Sequence, residues 1–263
     1  KYPFLLPANV PDEEWMNKRN DSLFKVLYKE VQTKFADTKQ LETDLESLFK
    51  HIKYYFPNQK PGKVVTLISE VDVDAKTIYT DSLSIISLDT YLGKDHRFYE
   101  VFDTYLLGSF EPKQITSDLA ESFITTQLPY PNDRQFLSQI IYSGKIMYAK
   151  DLLIPNVSDD VKMGYSPEQI QWCFDNESHI WKYFIENKLL YDSDSKLYGR
   201  FIQNAPFSKF YLDLDDESPG RVGVWIGWQI VRSYMKNNNV TLQELFAKDA
   251  KEIFDNSKYK PKK

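Results

Sequence analysis

The stretch ESPGRVGVWIGWQIVRSYM, Glu217 to Met235, holds two tryptophans, three glycines, two arginines and one glutamine among nearly continuous apolar residues. At about 100° per residue, Trp225, Trp228, Gln229 and Arg232 share one helical face. Val222, Ile226 and Ile230 share a second face, and Gly227, Val231 and Tyr234 a third. A helix that is apolar all round is buried all round. Gly223 and Gly227, one turn apart, leave a smooth strip where another backbone can approach closely. Each glycine costs about 1 kcal/mol of helix propensity against alanine, so tight packing is the expected compensation. Arg232 and Gln229 need partners on such a face, because an unpaired buried polar group costs several kcal/mol. Two readings follow: a core helix with an internal ion pair, or a helix that lines a cleft.

Working outward, the flanking sequence is punctuated by helix signals. YSPEQIQW places Ser166 as N-cap, Pro167 at the first helical position and Gln169 at the capping-box position. That helix is expected to run to about 189. VTLQELF repeats the device with Thr241 and Glu244, opening a last helix to about 254. Helices are also predicted over about 116–127 and 133–150, the latter stopping before Pro155. Near the start, two helical patterns follow a proline-rich lead-in, with Leu41, Leu45, Leu48, Phe49 and Ile52 at helical spacing in the second.

From Lys63 to about Leu92 the character changes. VVTLISEV, KTIYTD and LSIISLDTYL are short and rich in β-branched residues, with turn-like DVDAK between the first two. They predict an antiparallel sheet of about three strands. No proline- or glycine-rich linker divides the chain. The expected organisation is an extended lead-in over 1–12, a single domain over 13–256 and a basic, solvated tail over 257–263. The expected fold class is α+β, a helix-rich single domain with one small antiparallel sheet.

The chain of 263 residues is 42% hydrophobic, enough for a sizeable core, and its net charge of −5 makes nucleic acid an unsuitable main partner. No apolar run approaches the ~18 residues of a membrane span. The chain opens on KYPFLLPANVP without an initiator methionine. It is expected to be a processed chain, with any signal peptide or lipid anchor preceding Lys1. The single cysteine, Cys173, lies in apolar IQWCFDN and reads as a buried, inert thiol.

Chemistry-bearing motifs are scarce. A helical zinc protease needs H-E-x-x-H, yet His51, His96 and His179 are far apart in the chain. His179 with Asp175 and Glu177 reads as a solvated helix face. DLDDES, with Asp213, Asp215 and Glu217, and DSDSKL, from Asp192, lack the residues of a calcium loop and read as polar turns. There is no nucleophile elbow, phosphate loop or dinucleotide fingerprint. Cys173 and His179 lie six apart on one predicted helix and point away from each other. Paired carboxylates for glycoside hydrolysis are decided by spatial separation, which sequence does not supply. No catalytic residue, metal ligand or cofactor is expected. The candidate cleft or interaction residues are Trp225, Trp228, Gln229, Arg232 and Arg221, with Lys145 and Trp181 from upstream helices.

Several segments, in order, resemble one family. They are ISLDTYLGKDHRFY (Ile86 to Tyr99), GKIMYAKDLLIP (Gly144 to Pro155), MGYSPEQIQWCFDNESHIWKYFIENKLLY (Met163 to Tyr191), APFS (Ala205 to Ser208), the tryptophan-rich stretch and the final FDNSKYKP. Together they resemble the GldB family of gliding-motility lipoproteins of Bacteroidota. The resemblance implies a lipid-anchored envelope component, exposed to the periplasm and needed for gliding and the type IX secretion apparatus. It implies other envelope proteins of that machinery as partners, and membrane contact only through an N-terminal anchor absent from this chain. The family in turn resembles, more distantly, zinc proteases whose H-E-x-x-H helix falls near IIYSGKIMYAKD, Ile140 to Asp151. With no histidine there, the implied state is a degenerate zincin-like fold, a pseudo-peptidase that has kept a cleft. The alternative is an envelope hydrolase of peptide or glycan with an unrecognised site.

Overall fold

In the computed structural model, which describes residues 10–60, 62–212 and 215–262, three helices come first. They are α1 (Asp12–Asn20), α2 (Ser22–Lys34) and α3 (Lys39–Tyr55). Most of the lead-in expected over 1–12 lies outside the described residues, and α1 begins at its end. The first helical pattern is two helices because Asp21 interrupts it: its carboxylate accepts the Phe24 amide at 2.8 Å and caps α2. In α3 the predicted stripe faces inward, with Leu45, Leu48 and Ile52 buried.

The sheet is where sequence and structure part. Strands β1 (Lys63–Leu67), β2 (Thr77–Tyr79) and β3 (Leu83–Ser87) lie in the order β1-β3-β2. β3 pairs parallel with β1, from Lys63 opposite Leu83 to Leu67 opposite Ser87, and antiparallel with β2. The sheet is therefore mixed, not antiparallel. DVDAK does not make the hairpin; Val73–Ala75 form a single helical turn within a crossover. The hairpin turn falls at Thr80–Ser82, where Thr80 and Leu83 exchange backbone hydrogen bonds. β3 carries no charge and all five of its residues are buried, so it needs cover on both edges. β1 carries Lys63 and exposed Val64 and takes an edge.

After β3 the chain folds back on the segment that follows β1. The buried Asp89 carboxylate accepts the amides of Ser69 and Val71 at 2.9 and 2.6 Å, holding a turn in which Glu70 and Val71 both have positive φ. The Tyr99 hydroxyl donates to the Asp89 carbonyl at 2.6 Å and accepts the Leu92 amide at 2.9 Å. The family-like segment from Ile86 to Tyr99 thus serves architecture.

The remainder is helical: α4 (Ile115–Gln127), α5 (Phe136–Leu153), α6 (Asp159–Met163), α7 (Pro167–Glu186), α8 (Lys196–Phe201), α9 (Val222–Asn237), α10 (Leu242–Ala247) and α11 (Ala250–Asn256). Both capping boxes form at Ser166 and Thr241. The expected last helix to 254 is nevertheless two. Lys248 and Asp249 are extended, and Asp249 caps α11 by accepting the Lys251 and Glu252 amides. Over residues 257–262 the tail is held at two points while Lys258, Lys260 and Lys262 stay exposed. Ser257 is buried, and the Tyr259 hydroxyl donates to the buried Glu177 carboxylate at 2.9 Å. Among the described residues no helix is long and apolar enough to cross a membrane.

Candidate functional site

The centre of the molecule is the crossing of α5 and α9. A Cβ added at Gly227 would lie 1.8 Å from the Ile140 carbonyl oxygen, and one at Gly144 would lie 2.2 Å from the Gly227 carbonyl oxygen. The two backbones therefore touch, as the Gly223 and Gly227 spacing predicts. Gly223 approaches the Phe201 carbonyl in the same way. Trp225 and Trp228 are fully buried and meet edge to face at 5.8 Å.

Arg232 is the best-partnered charge in the described structure. Its Nε and Nη2 donate to Asp151 at 2.7 and 2.8 Å, and its Nη1 and Nη2 donate to Asp159 at 2.8 and 2.9 Å. Trp228 Nε1 donates to Asp151 at 2.9 Å, and the guanidinium lies 3.8 Å from the Trp228 ring centroid. Lys162 adds a further bond to Asp151 at 2.9 Å. Burial alone lowers the Arg232 pKa; its hydrogen bonds to Asp151 and Asp159 outweigh it and hold the value above the ordinary one. Gln229, placed on this face by helical phase, stays outside the network. Its buried Nε2 has no partner among the described residues, and neither has Trp225 Nε1.

Lys145 is also architectural. It is 7% exposed and its Nζ donates to the carbonyls of Phe246 and Lys248 at 3.1 and 2.6 Å, closing the C-terminal end of α10. These bonds fall where the expected last helix breaks. Burial lowers the Lys145 pKa to about 8, with Asp249 opposing the shift. The unfolded value is about 10.4. Between these two values the unfolded chain binds more protons than the folded one, so the contribution of this group to stability rises with pH. Compared with Lys145→Met, the wild type should gain on the order of 2 kcal/mol between about pH 7.5 and 10. Urea midpoints across that range measure it; parallel profiles for the two proteins would remove Lys145 as a titrating group.

Trp181 lies elsewhere. It packs on Phe254 and Tyr259, with centroids at 5.8 and 5.2 Å, and holds the docked tail against α7. Of the seven candidate residues, Arg221 lines a cavity. The structure thus scatters them: Trp225, Trp228 and Arg232 in the core network, Gln229 beside it, Lys145 at the end of α10, Trp181 under the tail.

The cavity that Arg221 faces is a cleft of about 310 Å³ between α4, α5, α8 and the start of α9. Its lining includes Glu121, Tyr130, Gln139, Tyr142 and Tyr198. Arg221 caps α9 with φ +66°, a left-handed conformation that only a surrounding constraint holds in a residue with a side chain. Two contacts supply it: the Tyr165 hydroxyl donates to the Gly220 carbonyl, and Arg221 Nη1 donates to the Met163 carbonyl at 2.8 Å. Glu121 Oε2 accepts from the buried Lys150 at 2.6 Å. Lys150 first, and Arg221 after it, hold the Glu121 carboxyl below its usual range against the opposing effect of burial. None of these cleft residues except Arg221 stood out in the sequence. Tyr130, Tyr142 and Tyr198 are scattered among 18 tyrosines, and nothing local distinguishes them.

Among the described residues no group of three or more His, Cys, Asp and Glu side chains is placed to hold a metal ion. Asp215 is a turn residue, its carboxylate accepting the amides of Phe210, Tyr211 and Leu212. Asp194 likewise accepts the Lys196 amide, while Asp213 lies outside the described residues. Burial pushes the Cys173 thiol pKa well up, and the residue is fully buried. A thiol reagent such as iodoacetamide should leave native protein unlabelled and modify one site per chain once it is unfolded, as mass spectrometry reads. Native labelling at the unfolded rate would show that α7 opens locally.

The model of the family described as Gliding motility protein GldB matches residues 1–261. No curated protein and no solved structure matches the chain.

Proposed function

The chain belongs to the GldB family of gliding motility proteins, and from that premise we propose that it is a non-enzymatic component of the gliding and type IX secretion machinery. In this reading it sits in the cell envelope, faces the periplasm, and meets the membrane through an N-terminal lipid anchor. It acts there by binding or bracing other envelope proteins of the machinery, and nucleic acid is not among its partners. Family membership over nearly the whole chain is the observation that carries the reading.

The use of α5 supports the non-enzymatic part. On the segment that resembles a zinc-protease helix, Gly144 is pressed against α9, and Lys145, Lys150 and Asp151 are engaged in structural bonds. The degenerate zincin-like ancestry rests on resemblance alone.

The test is genetic and biochemical together. A strain lacking the gene should lose colony spreading and secretion of type IX cargo, and the full-length gene should restore both. Affinity capture from envelope extract should recover other gliding or secretion proteins. Normal spreading and secretion in the deletion strain would overturn the role. One tightly bound zinc per chain with peptide turnover would overturn the non-enzymatic part.

A further inference from the structure

The cleft beside α9 has features that its role in packing does not explain. Arg221 has five N–H donors, and one of them meets a protein acceptor, the Met163 carbonyl. Glu121 has one carboxylate oxygen on Lys150, while the other has no partner among the described residues and the side chain is 43% exposed. Tyr130 and Tyr198 stand at the rim, 61% and 44% exposed. Tyr130 meets Tyr142 edge to face at 5.0 Å and donates from its hydroxyl to Gln139 at 2.8 Å.

The chemistry of the lining selects the ligand. An anion drawn to Arg221 would meet Glu121, and a cation drawn to Glu121 would meet Arg221 and Lys150. A neutral ligand that carries donors and acceptors together satisfies both ends. A peptide that binds by adding a strand would need an open strand edge to share its backbone bonds. The residues lining the cleft come from helices and their connections, not from β1, β2 or β3. What the cleft offers is side-chain forks in its interior and tyrosine rings at its rim. Rings of that kind pack against an apolar C–H face while their hydroxyls stay wet. The volume of about 310 Å³ is at the small end of ligand sites, which run from about 300 to 1,000 Å³.

We propose that the cleft formed by Glu121, Tyr130, Gln139, Tyr142, Tyr198 and Arg221 binds a neutral saccharide unit. Arg221 and Gln139 donate to ring hydroxyls, Glu121 accepts from them, and Tyr198 and Tyr130 cover the sugar faces. The proposal does not depend on the role in gliding and secretion.

Titration calorimetry on the full 263-residue chain tests it, with disaccharides of glucose, galactose, mannose and N-acetylglucosamine, and with N-acetyl-triglycine amide as the uncharged peptide probe. At least one disaccharide should bind saturably at one site per chain. Tyr198→Ala, at a 44% exposed position, should weaken that binding about tenfold with an unchanged melting temperature. Arg221→Ala should abolish it. No saturable disaccharide binding up to about 10 mM would overturn the proposal. So would binding that Tyr198→Ala leaves intact, which would place the sugar elsewhere. N-acetyl-triglycine amide bound in the cleft with all sugars refused would replace a saccharide site with a peptide site.

Discussion

Gly227→Ala should destabilise the protein by ~3 kcal/mol or more, as one methyl group has nowhere to go. Its Cβ would lie 1.8 Å from the Ile140 carbonyl oxygen and 2.6 Å from the carbonyl carbon. Both are backbone atoms of α5, so no side-chain rotation relieves the overlap. The helices would have to separate, and every contact along the crossing would loosen with them. Helix propensity acts in the opposite direction by about 1 kcal/mol, which makes a large loss a clear sign of the clash. Gly199→Ala in α8 is the control. A Cβ there meets only the end of the Gln203 side chain at 3.8 Å, so the substitution should be neutral or gain up to about 1 kcal/mol. Urea titration of the two variants beside the wild type measures the contrast. Equal midpoints for Gly227→Ala and wild type would show that α5 and α9 do not touch as described.

Arg232→Ala should cost about 3 kcal/mol. Deletion removes four hydrogen bonds to two carboxylates and the stacking on Trp228. Asp151, 16% exposed, keeps Lys162 and Trp228, but Asp159 keeps only Lys162 at 3.9 Å. The loss comes mainly from charge left half-buried without its partner, not from the net worth of the pair. Arg232→Lys should rescue little, because an ammonium cannot span two carboxylates with a planar fork. A double-mutant cycle of Arg232→Ala with Asp159→Ala should show coupling of about 1 kcal/mol or more in denaturant titrations. Additive losses would mean that the guanidinium and Asp159 do not act as a unit. A variant as stable as wild type would reopen the reading of this face as a functional cleft.

The parts of the fold legible in the sequence are those whose causes lie within a turn or two of one another. The capping boxes at Ser166 and Thr241 each close over three residues, and both form as expected. Helix α5 ends at Leu153, two residues before Pro155, since proline disfavours helical geometry in the residue before it. The smooth strip at Gly223 and Gly227 was visible from its spacing, as was the need of Arg232 for partners. The sequence did not show which residues would meet them. Gly144, the Ile140 carbonyl, Asp151 and Asp159 are brought to α9 by a chain reversal of more than sixty residues.

Tertiary structure alone decided the rest. Strand order depended on which strand could tolerate an open edge, a comparison among three segments that no one of them encodes. The break between α10 and α11 is held by Lys145, which arrives from a hundred residues earlier to take the carbonyls of Phe246 and Lys248. The cleft exists only because α4, α5, α8 and α9 converge, and its tyrosines are indistinguishable in sequence from those of the core. Local hydrogen bonding and helical phase act between near neighbours, so they can be read along the chain. Burial, ion pairing and cavity shape act between segments that meet only after the chain has closed on itself.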